Sequence, residues 1–156
     1  MLQKILMTAA ATLITAGAAY ADGPIAAGEK LVAKRCKSCH MIADGDNVIL
    51  KGGKTGPNLF GVIGRTAGTY EGFKYGKHIV EAGENGLVWD EAELTAFLEN
   101  PRNYLRTYLD NKKAKSKMSY KLKKGAEDIY AFLAQFSPAA EEPAEDAAAS
   151  EDAASE

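Results

Sequence analysis

Cysteine, histidine and tryptophan are scarce in this sequence: its 156 residues contain two cysteines, two histidines and one tryptophan. The possible zinc ligands are therefore few, namely Cys36, Cys39, His40 and His78. Because Cys39 and His40 are adjacent, this set is poorly placed for tetrahedral coordination. A βαβ pattern is missing, which argues against a thioredoxin-like redox pair at the cysteines. Motifs that combine aromatic and basic residues for RNA binding are also absent.

A long apolar run is missing as well. The amino-terminal stretch from Ile5 to Ala19 is interrupted by Thr and Gly and is short for a bilayer span of ~20 residues. It follows a lysine and ends in Ala19-Tyr20-Ala21, small residues flanking a larger one. These features predict a cleaved secretory signal peptide over residues 1–21, rather than a membrane anchor. We therefore expect an exported, periplasmic protein.

The other end of the chain lacks basic residues. Residues 137–156 consist of Ser, Pro, Ala, Glu and Asp, and predict a disordered acidic tail. One domain, residues 22–136, remains between the two ends. The whole chain has 21 acidic and 19 basic residues. Without the seven acids of the tail and Lys4 of the signal peptide, the domain has 14 acids and 18 bases, a net charge of about +4. Since export removes most nucleic-acid partners, we interpret the basic face as a docking surface for acidic proteins.

Both cysteines lie in Cys36-Lys37-Ser38-Cys39-His40, and Cys-x-x-Cys-His is the signature of c-type haem attachment. Two thiols separated by two residues can each add to one haem vinyl group, while the adjacent histidine is aimed at the iron. The competing interpretations are a disulfide, a zinc site and chance. The motif predicts one covalent haem c, with His40 as the proximal iron ligand.

A low-spin electron-transfer haem needs a second axial ligand, usually Met or His. Met1 and Met7 leave with the signal peptide, and Met41 follows His40 directly, so it is held on the proximal side. Met118 lies in a polar stretch without the apolar periodicity that places Met in a core. We therefore predict Met118 as the second ligand, and we expect His78 to be an exposed or hydrogen-bonded loop histidine without a role at the metal.

The remaining patterns predict helices. Pro24 lies near the start of an amino-terminal helix that opens at Asp22. Asp90 predicts the N-cap of a second helix, which stops before Pro101, where Asn100-Pro101 can cap and start another turn. A final helix is predicted from about Gly125 to Phe136, and Gly28 would let the first helix cross it closely. From Gly45 to Gly76 we expect a glycine-rich loop that wraps the porphyrin, within an all-α fold.

Several further motifs stand in a fixed order along the chain: Gly56-Pro57-Asn58-Leu59, Gly64-Arg65 with Gly68, Gly72-Phe73-Lys74-Tyr75, Trp89, Leu98-Glu99-Asn100-Pro101 and Lys117-Met118. With the haem motif, this set resembles class I cytochromes c, especially the large soluble bacterial forms close to mitochondrial cytochrome c. The likeness covers residues 28 to about 135. It implies a class I cytochrome c fold of about four to five helices, wrapped with glycine-rich loops around one covalent haem.

The resemblance also implies roles for individual residues. The carbonyl of Pro57 would accept the proton of the other His40 ring nitrogen. Arg65, Tyr75 and Trp89 would surround the haem propionates. The chain departs from the family at Phe97, where a tyrosine commonly bonds the axial Met sulfur. It departs further at Val32, where an aromatic residue is frequent, and in a longer connection from Tyr104 to Met118.

The function that follows is outer-sphere transfer of single electrons, with both ligands staying on the iron and no substrate transformed. Seven lysines near Met118 predict a positive face that steers acidic partners: Lys112, Lys113, Lys115, Lys117, Lys121, Lys123 and Lys124. We expect a monomer that docks on a cytochrome bc complex, a terminal oxidase or a reaction centre, and that meets membranes only through them. The alternatives are a haem enzyme such as a peroxidase, a ligand sensor, or an interaction protein working through its tail.

Overall fold

The computed structural model describes residues 23–137, and the predicted signal peptide and residues 138–156 lie outside them. The elements in this range are α1 (Pro24–Leu31), a π-helical turn (Val32–Cys36), β1 (Ile42–Asp44), β2 (Asn47–Leu50), α2 (Lys77–Glu84), α3 (Glu91–Glu99), α4 (Pro101–Tyr108) and α5 (Ala126–Ala134). The mostly helical architecture is confirmed. Among residues 23–137, no helix is long and apolar enough to cross a membrane.

Helices α1 and α5 cross at the centre of the domain, as the sequence predicted. At Gly28 a Cβ atom would overlap the carbonyl oxygen of Asp128, so only glycine permits this approach. Val32, at the start of the π-helical turn, is fully buried, and Ile129 and Leu133 of α5 are each 2% exposed. This crossing fixes the chain that leads directly into the two cysteines.

Helices α3 and α4 start at the two caps read from the sequence. The Asp90 carboxylate accepts a hydrogen bond from the backbone N–H of Glu93 at 2.8 Å. The Asn100 side chain accepts one from the backbone N–H of Asn103 at 3.2 Å, and Pro101 follows it at the first position of α4. Side-chain oxygens thus satisfy backbone donors that a helix start leaves free, which confirms both predicted boundaries.

The stretch predicted as a structureless loop, residues 45–76, contains part of a hairpin that the sequence analysis missed. Strands β1 and β2 pair antiparallel, with Ala43 opposite Val48 and Asp44 opposite Asn47. The dipeptide Asp44-Gly45 between two short apolar runs is a hairpin signal that could have found it. The prediction of an all-α chain therefore needs this one correction.

Helix α2 was also missed, and His78 lies on it rather than in a loop. Its N-cap, Gly76, makes no side-chain capping bond, so the sequence carries no start signal. The helix is held instead by packing: a Cβ atom at Gly83 would overlap the carbonyl oxygen of Ala67. Tertiary contact with the preceding loop thus places α2.

Ser137, which the sequence analysis placed in the tail, is hydrogen-bonded to the domain. The Ser137 hydroxyl accepts a hydrogen bond from the backbone N–H of Ile63 at 3.0 Å and donates one to the carbonyl of Leu133 at 3.3 Å. Ser137 therefore belongs to the domain and not to the acidic tail. The reason is geometric, because its hydroxyl reaches a loop that is 74 residues distant in sequence.

Candidate haem site

The Cys-x-x-Cys-His motif forms a tight turn at the end of the π-helical segment. The backbone N–H groups of Cys39 and His40 both donate to the carbonyl of Cys36, at 3.0 and 2.9 Å. Both cysteines are free thiols. Burial and, to a smaller degree, the charge of Cys39 raise the pKa of Cys36 to about 11. Hydrogen bonds from Thr55 and Ser38 lower the pKa of the exposed Cys39.

The His40 ring is fixed on two sides. Its Nδ1 lies 2.8 Å from the carbonyl oxygen of Pro57 and donates to it, which leaves the Nε2 lone pair for a metal. A Cβ atom at Gly56 would overlap the imidazole ring, so the glycine backbone lies against its face. Burial lowers the pKa of His40, partly opposed by the Pro57 bond, and therefore favours the neutral ring that ligation requires.

The backbone of the motif is bonded to the loop that follows the hairpin. Gly53 N–H donates to the carbonyl of Lys37, and Gly56 N–H donates to that of Cys39, both at 2.8 Å. Both acceptors lie within the motif, so the two bonds hold the loop against it. The His40 side of the site is therefore built mainly from backbone, which leaves little freedom to its geometry.

Asn58 ties this loop to the hairpin, a role that the sequence analysis did not assign. Its Oδ1 accepts from the backbone N–H groups of Ala43 and Phe60, at 3.1 and 3.0 Å. Its Nδ2 donates to the carbonyl of Ala43 at 2.7 Å and to the Tyr70 hydroxyl at 3.3 Å. The available signal was its place within the Gly-Pro-Asn-Leu motif.

Arg65 lies in the same loop as Asn58 and is bonded to its backbone. Its guanidinium donates to the carbonyls of Phe60 and Asn58, each at 3.1 Å, and lies 5.0 Å from the centre of the Tyr70 ring. Burial raises the pKa of Tyr75, and the Arg65 charge partly offsets that shift. Arg65 and Tyr75 are thus close enough to interact electrostatically.

Trp89 is joined to Arg65 through the backbone, because Trp89 N–H donates to the Arg65 carbonyl at 3.1 Å. Its side chain is 7% exposed and packs on Phe97, with ring centroids 4.9 Å apart. Phe97 in turn packs edge-on against Tyr104 at 5.7 Å. Phe97 carries no hydroxyl, so its side chain offers no hydrogen-bond donor.

Met118 is partly buried and packs against the hydrophobic core. The preceding residue anchors it: the Lys117 amine donates to the carbonyl of Lys74 at 2.6 Å. The backbone N–H of Lys115 donates to Nδ1 of His78 at 3.2 Å. His78 is therefore hydrogen-bonded to protein, as expected, although it lies on α2.

These residues fit a covalently attached haem. The motif supplies two free thiols within one turn. Burial favours the neutral form of the adjacent imidazole, which the Pro57 carbonyl orients and the Gly56 backbone faces. Within residues 23–137, no group of three or more His, Cys, Asp or Glu side chains could hold a metal ion by itself. The donor set predicted from the sequence, the imidazole nitrogen of His40 with the thioether sulfur of Met118, is of the kind that electron-transfer haems use.

Comparison with known proteins agrees with this geometry. The chain is 52% identical over 135 residues to cytochrome c-551 of Roseobacter denitrificans, covering 86% of this chain and 96% of that one. It is 50% identical over 134 residues to cytochrome c2 of Rhodobacter capsulatus, covering 84% and 96%. The crystal structure of cytochrome c2 from Paracoccus denitrificans matches with a TM-score of 0.71 and 50% identity, over 75% and 98% of the chains. No family model matches.

The fold and the relatives define a class I cytochrome c. The chain belongs to the soluble bacterial cytochromes c2 and c-550 of that class. It carries one covalent haem c, and it is an electron carrier rather than an enzyme. These findings confirm the predicted fold, cofactor and function.

Proposed function

We propose that the haem is bound through thioether links to Cys36 and Cys39, with the iron held between Nε2 of His40 and the sulfur of Met118. When bound, the haem supplies a one-electron ferric–ferrous couple that requires no change in a substrate. The observation that carries the proposal is the 2.8 Å bond from His40 Nδ1 to the Pro57 carbonyl. This bond sets both the tautomer and the direction of the ring, as in other metal-ligating histidines.

Arg65, Tyr75 and Trp89 are the proposed partners of the haem propionates. All three carry hydrogen-bond donors, and Arg65 is linked to Trp89 by backbone bonding and to Tyr75 by its charge. A guanidinium held by two carbonyls keeps its direction without a carboxylate partner. It thus remains able to offset negative charge in a partly buried place.

The partners we propose are acidic surfaces of membrane redox complexes: a cytochrome bc complex, a terminal oxidase or a reaction centre, met in the periplasm after export. All seven lysines that flank Met118 in the sequence are exposed. Positive charge concentrated near one ligand would steer an acidic partner toward that side of the haem. Residues 1–21 would serve as the cleaved signal peptide, and the acidic residues after Ser137 as a solubilising tail.

The ligands are tested by the optical spectrum of the purified protein, oxidised and reduced, including the near-infrared region. A sulfur-to-iron charge-transfer band is expected and should disappear in Met118→Leu. Met41→Leu is the matched control and should keep the band, because the Met41 carbonyl accepts from Leu59 N–H on the His40 side. A high-spin spectrum of the native protein, or haem lost on acid extraction, would contradict the assignment.

Docking is tested by the association rate with a purified acidic redox partner at several ionic strengths. Replacing Lys112 and Lys113 by glutamine should lower the rate at low salt by about 3- to 10-fold. The matched control replaces both by arginine, which keeps the charge and should keep the rate. A native association rate that does not depend on ionic strength would remove the docking proposal.

A further inference from the structure

The chain around Met118 is anchored at both ends by buried residues. Ala114 is fully buried, and its N–H donates to the carbonyl of Asn111 at 2.9 Å. Leu122 is 6% exposed, and its N–H donates to the carbonyl of Leu98 at 2.9 Å. The seven residues between these anchors have no helix or strand. Between the anchors, Met118 is therefore held by the contacts that this segment makes with the rest of the domain.

In the part of the chain that the structure describes, this segment makes two hydrogen bonds to other elements. One joins the Lys117 amine to the Lys74 carbonyl, through a flexible side chain. The other joins the backbone N–H of Lys115 to Nδ1 of His78 at 3.2 Å. Only the second fixes the backbone itself, three residues before the proposed ligand.

His78 is well placed to fix that backbone, because it lies on the first turn of α2 and its ring is partly buried. Helix α2 is itself firmly seated: Ala82 is fully buried, and Gly83 lies against the Ala67 carbonyl. A bond from Lys115 to this helix therefore connects an irregular segment to a rigid support.

We propose that His78 is a positioning residue for Met118: by accepting the Lys115 N–H, it keeps the segment 115–118 closed over the haem. This inference rests on the proposed ligation by Met118. The inference gives a role to His78, the histidine that is not proposed as an iron ligand. One net hydrogen bond changes an equilibrium constant by a few-fold. The segment should therefore open more often when the His78 acceptor is removed.

The test measures how fast imidazole, added to the oxidised holoprotein at saturating concentration, abolishes the near-infrared Met band. Imidazole can bind only after the sulfur has left, so the limiting rate reports opening of the segment. His78→Ala should raise this rate about 3- to 10-fold. His78→Asn should restore most of the native rate, because its side-chain oxygen can accept from Lys115. Lys77→Ala, an exposed change on the same turn, should leave it unchanged.

Amide hydrogen exchange at Lys115 gives a second readout that does not depend on haem chemistry. The amide should be protected in the native protein and in His78→Asn, and should exchange about 3- to 10-fold faster in His78→Ala. Native opening and exchange rates in His78→Ala would overturn the inference. If that variant does not fold, an unprotected Lys115 amide in the native protein would overturn it and a protected one would support it.

The two proposals fail in different ways. A native protein without the Met band contradicts ligation by Met118, and the role of His78 falls with it. A native protein that shows the band, together with a His78→Ala variant that opens at the native rate, contradicts the role of His78 alone.

Discussion

The two sides of the haem site are held in different ways. On the His40 side, residues 36–59, backbone bonds join the cysteine motif to the next loop, and a glycine lies against the imidazole ring. On the Met118 side, residues 115–118, two hydrogen bonds from Lys115 and Lys117 reach α2 and its approach. The comparison indicates that the His40 side is held rigidly and that the Met118 side opens more easily.

The difference has a physical reason. Covalent attachment beside His40 requires the thiols and the ring to be placed together, and short backbone hydrogen bonds to the next loop hold them there. The Met118 side has no covalent link, so its geometry depends on bonds between partly exposed groups, each worth about 1 kcal/mol. Variants on the His40 side should therefore lower stability most, and variants on the Met118 side should mainly change ligation.

Gly56→Ala should have the largest effect. The added Cβ atom would overlap the His40 ring, which the Pro57 carbonyl also holds, so neither can give way cheaply. We expect a loss of roughly 3 kcal/mol or more in the free energy of unfolding, with little holoprotein formed. Denaturant unfolding and the haem content of the purified protein measure this. Gly23→Ala is the control, since no atom lies within 4 Å of a Cβ there.

Asn58→Ala should come next, because it removes a side chain with four hydrogen bonds on the His40 side. We expect a loss of about 2 to 3 kcal/mol in unfolding free energy while the Met band stays intact. Asn111→Ala, which removes one bond to Lys113 N–H, should cost about 1 kcal/mol or less. Equal losses in the two variants would show that the loop is not organised by Asn58.

Met118→Leu should change stability by only about 1 to 2 kcal/mol, because the side chain keeps its volume. The reduction potential should nevertheless fall by on the order of 0.1 to 0.3 V, since a Met ligand raises the potential of a haem. Voltammetry and denaturant unfolding of the same sample check both values. A native potential would mean that Met118 is not a ligand, and the two sides would then not differ in the way described.

Lys117→Ala should have the smallest effect on stability, below about 1 kcal/mol, because the bond to Lys74 joins exposed groups. Imidazole should displace the Met band about 2- to 5-fold faster, since one anchor of the segment is lost. Lys113→Ala is the charge-matched control, as its side chain makes no bond to α2. A large stability loss in Lys117→Ala would show that the Met118 side is as tightly built as the His40 side.

Much of the fold was predictable where the signal is local. The caps at Asp90 and Asn100 follow from side chains that bond to neighbouring backbone. The crossing at Gly28 follows from the small size of that residue. Helix α2 was not predictable, because its start has no capping side chain. The hairpin was predictable as well, because Asp44-Gly45 between two short apolar runs is a local signal for it.

The candidate site divides in the same way. Cys36, Cys39 and His40 are adjacent in the chain, so their spacing alone indicates their chemistry. The bond from His40 to Pro57 was implied by family resemblance, and the structure shows it as a contact across 17 residues. Asn58, Ser137 and His78 form hydrogen bonds with partners that are distant in sequence, and a local pattern does not identify such partners.

The sequence by itself determined that a haem would be attached at one turn, that helices would start at two caps, and that Met118 was the one methionine distant from both the motif and the predicted signal peptide. These properties depend on the order of the residues and on interactions between near neighbours in the chain, which do not require distant segments to pack. Only the tertiary structure decided which backbone faces the His40 ring and which helix supports the segment with Met118. Those contacts exist only after distant segments pack, because packing brings donors and acceptors together that the chain order keeps apart.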